Sequence, residues 1–295
     1  MRKTGIFYHP SFSRRSYLTQ GTRLEDFPEA IEHLLQRENV VMFESPPLEE
    51  EWILKVHTPE LILGVQADHL CSTAWHSAGG VVLGGEKIWT GEIDNAFAFI
   101  GAGGHHSGRD YFGGYCCFND VVITITKLRE IYGVKKFAIL DTDAHHGDGT
   151  RDLVKDDPDV LHVCMCYNDY KSPDGTKIDV AVRSGWFGWG RTEKDDRSQN
   201  EIYFDKVCSV FPDAVRNFKP DLIFWYFGFD THRGDYGDLG LTGECYNNIA
   251  RLMVELSLEL CGGKLEVVLG GGSRADIART VIPPIIEILA DYKND

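Results

Sequence analysis

The stretch Lys136-Phe137-Ala138-Ile139-Leu140-Asp141-Thr142-Asp143-Ala144-His145-His146-Gly147-Asp148-Gly149 decides the fold. Its first part is a short apolar run, and the rest gathers three aspartates and two histidines. A run of this length is too short for a helix and too continuous for a half-exposed strand. It reads as a strand buried on both faces of a parallel sheet. Residues 96–100, 160–165, Leu222–Phe227 and 266–269 read the same way.

Helical patterns separate these runs. Residues 121–132 end at Gly133, a helix-terminating glycine. Residues 201–218 precede Pro220. Residues 243–260 follow Thr242, an N-cap residue, and stop at Gly262-Gly263. Residues 275–290 are helical, with Pro283-Pro284 expected to mark a break or a new first turn. Strands alternating with helices predict an α/β fold with a mostly parallel sheet. The 295 residues, 43% hydrophobic, suit one large domain over 1–295, although length alone also allows two smaller ones. The Gly-, Asp- and Trp-rich segment 168–199 has two readings of equal weight. It is a long loop near the functional face, or a solvated insertion anchored by Trp186 and Trp189.

The formal net charge of -15 argues against a nucleic-acid binder. It suits solubility or a cationic partner. No apolar stretch of about 18 residues predicts a membrane span. The N-terminal residues turn polar too soon for a signal peptide. Eight cysteines form no disulfide-dense pattern, so a reducing cytoplasm is expected. In Cys164-Met165-Cys166 the two thiols would share one strand face and could bind metal; small core residues are the preferred reading. The sequence sets no oligomeric state and allows a homo-oligomer.

Four polar clusters follow the apolar runs directly: Gly103-Gly104-His105-His106, Asp141 to His145, Gly228-Phe229-Asp230-Thr231-His232, and Gly270-Gly271-Gly272-Ser273. They fall at the carboxyl ends of parallel strands, the edge at which open α/β sheets bind ligands. One residue separates Asp143 from His145, so an extended segment points both side chains the same way. Asp230 is the natural third ligand. Two carboxylates and one imidazole leave coordination positions open, the pattern of a catalytic rather than structural zinc. Ferrous iron accepts the same donors. His105 and His106 are candidate acid–base groups, with Asp141 and Asp148 as spare carboxylates to orient them.

These motifs, with Gly114-Tyr115-Cys116-Cys117-Phe118-Asn119-Asp120, resemble the zinc-dependent histone deacetylase and acetylpolyamine amidohydrolase family. Tyr8-His9-Pro10 and Ser77-Ala78-Gly79-Gly80 fit its N-terminal part, so the resemblance runs through nearly the whole chain in order. It implies a doubly wound α/β sheet related to arginase, and hydrolysis of an acetyl amide on a lysine or polyamine. By position, Asp143, His145 and Asp230 resemble the zinc ligands. His106 resembles the general base and acid, oriented by Asp148; His105 resembles a second, electrostatic histidine paired with Asp141. The backbone around Asp141, Asp143 and His145 resembles a K+ site. Gly114 and Tyr115 fall where the family has a tunnel wall.

One departure bears on mechanism. The family reads Gly-Gly-Tyr after its last strand, and that tyrosine polarises the substrate carbonyl; here Ser273 stands in its place. Loss of one such donor costs about 100- to 1,000-fold in rate. A water held by Ser273, a tyrosine such as Tyr111 or Tyr170, or Arg274 are the candidate replacements. The leading expectation is a hydrolase of a small-molecule or peptide acylated amine, carrying one zinc per chain. A catalytically weak zinc-containing binder of the same fold is the alternative. A two-metal arginase-like enzyme ranks third, because Thr231-His232 follows Asp230 where a second carboxylate is needed.

Overall fold

The computed structural model describes residues 2–14, 23–182 and 197–291. Its described strands are β1 (Thr4–Tyr8), β2 (Val40–Glu44), β3 (Asn95–Ala98), β4 (Phe137–Asp141), β5 (Val160–Cys166), β6 (Tyr170–Lys171), β7 (Lys177–Ala181), β8 (Leu222–Phe227) and β9 (Leu265–Leu269). They form one sheet in the order β2-β1-β3-β9-β8-β4-β5-β7-β6. Every pairing is parallel except β6 on β7. The chain builds outward in both directions from the centre, through β1 and β2 on one side and β5 and β7 on the other. This is the expected doubly wound α/β fold.

The five expected strands all form, and β3, β4, β5, β8 and β9 are buried along their whole length. Burial on both faces explains their unbroken apolar character. The described helices are α1 (Ser11–Arg14), α2 (Glu32–Leu35), α3 (Glu50–Leu54), α4 (Pro59–Ala67), α5 (Ala74–Trp89), α6 (Asp120–Tyr132), α7 (Asp148–Val154), α8 (Gln199–Phe218), α9 (Gly243–Cys261) and α10 (Ala275–Asp291). Gly133 and Gly262 end α6 and α9 in the left-handed conformation, at φ of 70° and 65°. Among the described residues no helix is long and apolar enough to cross a membrane.

Three local expectations change. Pro283 and Pro284 lie inside α10, which continues through them. Thr242 sits at the N-cap of α9 without a side-chain cap; its hydroxyl instead accepts from Asn200 Nδ2 at 2.7 Å. The segment 168–199 is not one loop: it holds β6 and β7 and opens α8 at Gln199. Trp186 and Trp189, the proposed anchors, lie outside the described residues. In addition, Cys71 and Cys117 are joined by a disulfide, which departs from a fully reduced set of cysteines. Their sequence separation of 46 gives no spacing signal.

The order of strands has one direct consequence for the site. β3, β9, β8 and β4 are consecutive neighbours at the middle of the sheet. The four polar clusters therefore leave adjacent strands at the same edge.

Candidate active site

At that edge lies a pocket of about 170 Å³. His105, His106, Asp143, His145, Tyr226, Tyr236, Gly114 and Tyr115 line it, together with Arg23 and Gly271. The expected ligands converge. His145 Nδ1 is 3.1 Å from Asp143 Oδ1 and 3.0 Å from Asp230 Oδ2. Both carboxylates are buried, and Asp230 Oδ2 faces no group but the His145 ring among the described residues. Two buried carboxylates around one imidazole are costly unless a cation meets them.

The backbone holds these side chains in place. Asp143 Oδ1 accepts from His145 N at 3.0 Å, and its Oδ2 accepts from Gly271 N at 2.7 Å. Asp230 Oδ1 accepts from Ala144 N at 3.1 Å. Asp230 thus keeps one oxygen fixed by an amide and turns the other toward the imidazole, while both Asp143 oxygens are held by amides and Oδ1 also faces the ring. Burial and the adjacent Asp143 charge push Asp230 up to about 7. The two carboxylates hold His145 up to about 10. One proton is in effect standing between two carboxylates, where a divalent cation would displace it. Two oxygens and one nitrogen with room for further ligands fit zinc or ferrous iron.

The two histidines differ in setting. His105 is buried, stacks on Tyr226 at 4.7 Å between centroids, and bonds Asp141 Oδ2 through Nδ1 at 3.0 Å. Burial opposes its charged form, but Asp143 and Asp141 outweigh that and hold it up to about 9. A cation among those carboxylates would lower it again. His106 is more open. Its Nδ1 meets Asp148 Oδ1 at 2.6 Å, leaving Nε2 for other partners. Gly114 backs this ring: a methyl there would stand 2.6 Å from His106 Cδ2, at a φ of +56° that also favours glycine. Tyr115 follows in the left-handed region at φ 64° and is 39% exposed, presenting its ring at the pocket rim.

Ser273 does not line the pocket. It is buried, and its hydroxyl and amide both donate to Asp235, at 3.0 and 3.1 Å to Oδ1. A direct or water-holding role facing the pocket is therefore withdrawn for Ser273. Tyr111 and Tyr170 are exposed and do not line it either. Arg274 is turned to Asp276, with Nη2 to Oδ2 at 2.7 Å.

The sequence reading passed over Tyr236, which does line the pocket and stacks against His145 at 5.6 Å. A methyl on Gly271 would meet the Tyr236 hydroxyl and Asp143 Oδ2 at 2.6 Å each, so both oxygens face one point of space. Tyr236 Oη accepts from Gly272 N at 3.1 Å. Burial and the Asp230 and Asp143 charges push its phenol above the usual range, so it stays protonated. Its signal in the sequence was weak: an aromatic residue six positions after Asp230, inside a polar turn.

Residues 65–289 match the model of the histone deacetylase domain. The chain belongs to that family. It is 27% identical to a probable deacetylase of Archaeoglobus fulgidus, with 91% of this chain and 81% of the relative covered. It is also 27% identical to the polyamine deacetylase HDAC10 of Mus musculus, covering 98% of this chain but 48% of that protein. The crystal structure of the HDA15 HD domain superposes with a TM-score of 0.80 at 21% identity, covering 98% of this chain and 90% of that one. This likeness shows the fold. The chain thus spans most of the archaeal relative and about half of the mouse one. Family membership makes it an enzyme of the amidohydrolase kind.

Proposed function

We propose that residues 1–295 form one catalytic domain that hydrolyses the acetyl or related acyl amide of a lysine, a polyamine or another small amine, with one catalytic zinc. The observation that carries this reading is the meeting of Asp143, His145 and Asp230 beneath a pocket that His105 and His106 also line. Ferrous iron remains compatible with these donors. The K+ implied by the resemblance near Asp141, Asp143 and His145 is part of the same proposal, as is a cytoplasmic setting. The bonded Cys71–Cys117 pair speaks against that setting, and thiol counting on protein from reducing cells tests it.

An ion held by Asp143, His145 and Asp230 would supply Lewis acidity to the amide carbonyl and to water. The remaining work falls to side chains. His106 takes the proton of the attacking water and returns it to the leaving nitrogen, while Asp148 holds its tautomer. His105, braced by Asp141 and Tyr226, sets the local field. Tyr236 donates the hydrogen bond to the carbonyl oxygen that the missing tyrosine would have given. A hydroxyl that accepts from Gly272 N still has its own proton to donate. The pocket of about 170 Å³ suits a small acyl group on an extended amine.

The alternative, a binder with little turnover, rested on Ser273, and a phenol in the same pocket removes that support. Acetate release from acetylated lysine peptides, acetylpolyamines and trifluoroacetyl-lysine by the metal-loaded protein tests the reading. Turnover of any one supports it. Binding without acetate or trifluoroacetate release across the panel would overturn it.

A further inference from the structure

A second cluster of donors lies beside the pocket without taking part in it. β5 carries Cys164 and Cys166, which share one face because successive strand residues alternate. β7 pairs with β5 in parallel, with Asp179 opposite Cys164. His146 arrives from the segment after β4. One donor atom from each of His146, Cys164, Cys166 and Asp179 lies within 4.8 Å of all the others. Cys164 and Cys166 are completely buried, Asp179 is 9% exposed, and the His146 side chain is 20% exposed. His146 Nδ1 is buried, and among the described residues it has no hydrogen-bond partner.

We infer that these four residues form a second metal site, a closed tetrahedral one for zinc or another borderline-soft divalent cation. Donors at 2.0–2.3 Å from a tetrahedral ion stand roughly 3.3–3.8 Å apart, inside the spread seen here. The charges balance. Two thiolates and a carboxylate bring three negative charges, which a divalent ion and the Arg151 guanidinium neutralise. Arg151 donates to Asp179 Oδ1 at 2.7 Å, leaving the other carboxylate oxygen for the ion. Sulfur donors disfavour K+, Mg2+ and Ca2+.

A neighbouring trio, Asp141, His162 and Cys164, also lies within reach of a common point. It shares Cys164, so one ion excludes the other. Its His162 Nε2 is buried without a partner, but Asp141 Oδ2 already holds His105 and the trio offers only one sulfur and three donors. The four-donor set, which completes a tetrahedron from the protein alone, is therefore the one we assign. Its four protein ligands leave no open position, so its role is structural. Because His146 directly follows His145, the ion would clamp the segment that carries a catalytic ligand onto β5 and β7.

This site is independent of the hydrolase reading and its test is spectroscopic. The wild-type protein loaded with Co2+ should show near-ultraviolet thiolate-to-cobalt charge transfer, which Asp143, His145 and Asp230, having no sulfur, cannot give. Elemental analysis of the zinc-loaded chain should give two ions per chain. The double variant Cys164→Ser/Cys166→Ser should retain one ion and lose the charge-transfer band. The double variant Asp143→Asn/Asp230→Asn should lose one ion and keep the band. One zinc per chain in the wild type, with no charge-transfer band on cobalt loading, would overturn the inference without reference to any variant's folding or to turnover.

Discussion

Tyr236 and Ser273 have exchanged neighbourhoods with what the family pattern leads one to expect. The Tyr236 hydroxyl accepts from Gly272 N at 3.1 Å, while the Ser273 hydroxyl one residue on turns away to Asp235 at 3.0 Å. The phenol thus reaches the pocket from the segment after β8 instead of the segment after β9. Tyr236→Phe removes only the hydroxyl. We expect kcat to fall about 100- to 1,000-fold, the loss typical of one oxyanion donor. Zinc content and KM should change little. An unchanged kcat would show that another group supplies the hydrogen bond.

Ser273→Tyr, which would restore the residue that the family pattern leads one to expect, should not raise turnover. The position is 3% exposed and its serine is held by Asp235 through both hydroxyl and amide. A phenol cannot be fitted there without breaking that arrangement. Ser273→Ala loses one charge-assisted hydrogen bond and should cost about 1.5–3 kcal/mol of stability. Denaturant midpoints measure that cost, and a rise in turnover in Ser273→Tyr would contradict the placement.

His106→Ala tests proton transfer. General acid–base groups contribute about 100- to 10,000-fold, and kcat should fall within that range with zinc retained. Asp148→Asn keeps the bond geometry at His106 Nδ1 but weakens its hold on the tautomer, so a smaller loss is expected. Equal losses of zinc in both variants would mean that these residues support the metal site and not the proton.

The central strands and the metal ligands were legible because each rests on a local rule. Strands buried on both faces print as short apolar runs, and D-x-H at a strand end points two donors one way. β1 and β2 were missed: β2 is an edge strand whose burial fades from Val40 to an exposed Met42 and Glu44, and β1 carries Thr4 and Gly5 in a run of five. The pairing of Cys71 with Cys117, the fit of Tyr236 to the pocket and the gathering of His146 with Cys164, Cys166 and Asp179 depend on which elements become neighbours. No local pattern encodes those distances.

Glu266 is a buried cost. It stands on β9, completely buried against Gly84 and Gly85 of α5, and neither carboxyl oxygen has a hydrogen-bond partner among the described residues. Burial, with Asp120 nearby, pushes it well above the usual carboxylate range. The unfolded chain ionises it above about pH 4.3 while the folded chain keeps it protonated, so its contribution to stability falls as pH rises. Glu266→Met should stabilise the protein by about 1–3 kcal/mol at neutral pH. The gain should shrink toward pH 4. Urea midpoints at several pH values measure both, and a destabilised variant at pH 7 would mean that the acid serves an unrecognised partner.

His57 sets an acid limit. It is buried where Nδ1 donates to Gly108 O at 2.7 Å and Nε2 accepts from Asn119 N at 3.0 Å, so the neutral ring bridges both ends of the segment that carries Gly114 and Tyr115. Burial pushes its pKa down to about 4. Between pH 6.5 and 4 the unfolded chain takes up a proton that the folded chain refuses. Stability therefore falls through that window as pH drops, by about 3 kcal/mol for this residue. His162, lowered to about 4 mainly by burial, adds to the same slope. His57→Gln should be less stable at pH 7.5, yet lose less on going to pH 5 than the wild type does. Parallel pH profiles for the two proteins would show that His57 takes up its proton in the fold at the same pH as in the unfolded chain, and with it that burial does not hold the ring neutral as an acceptor for Asn119 N.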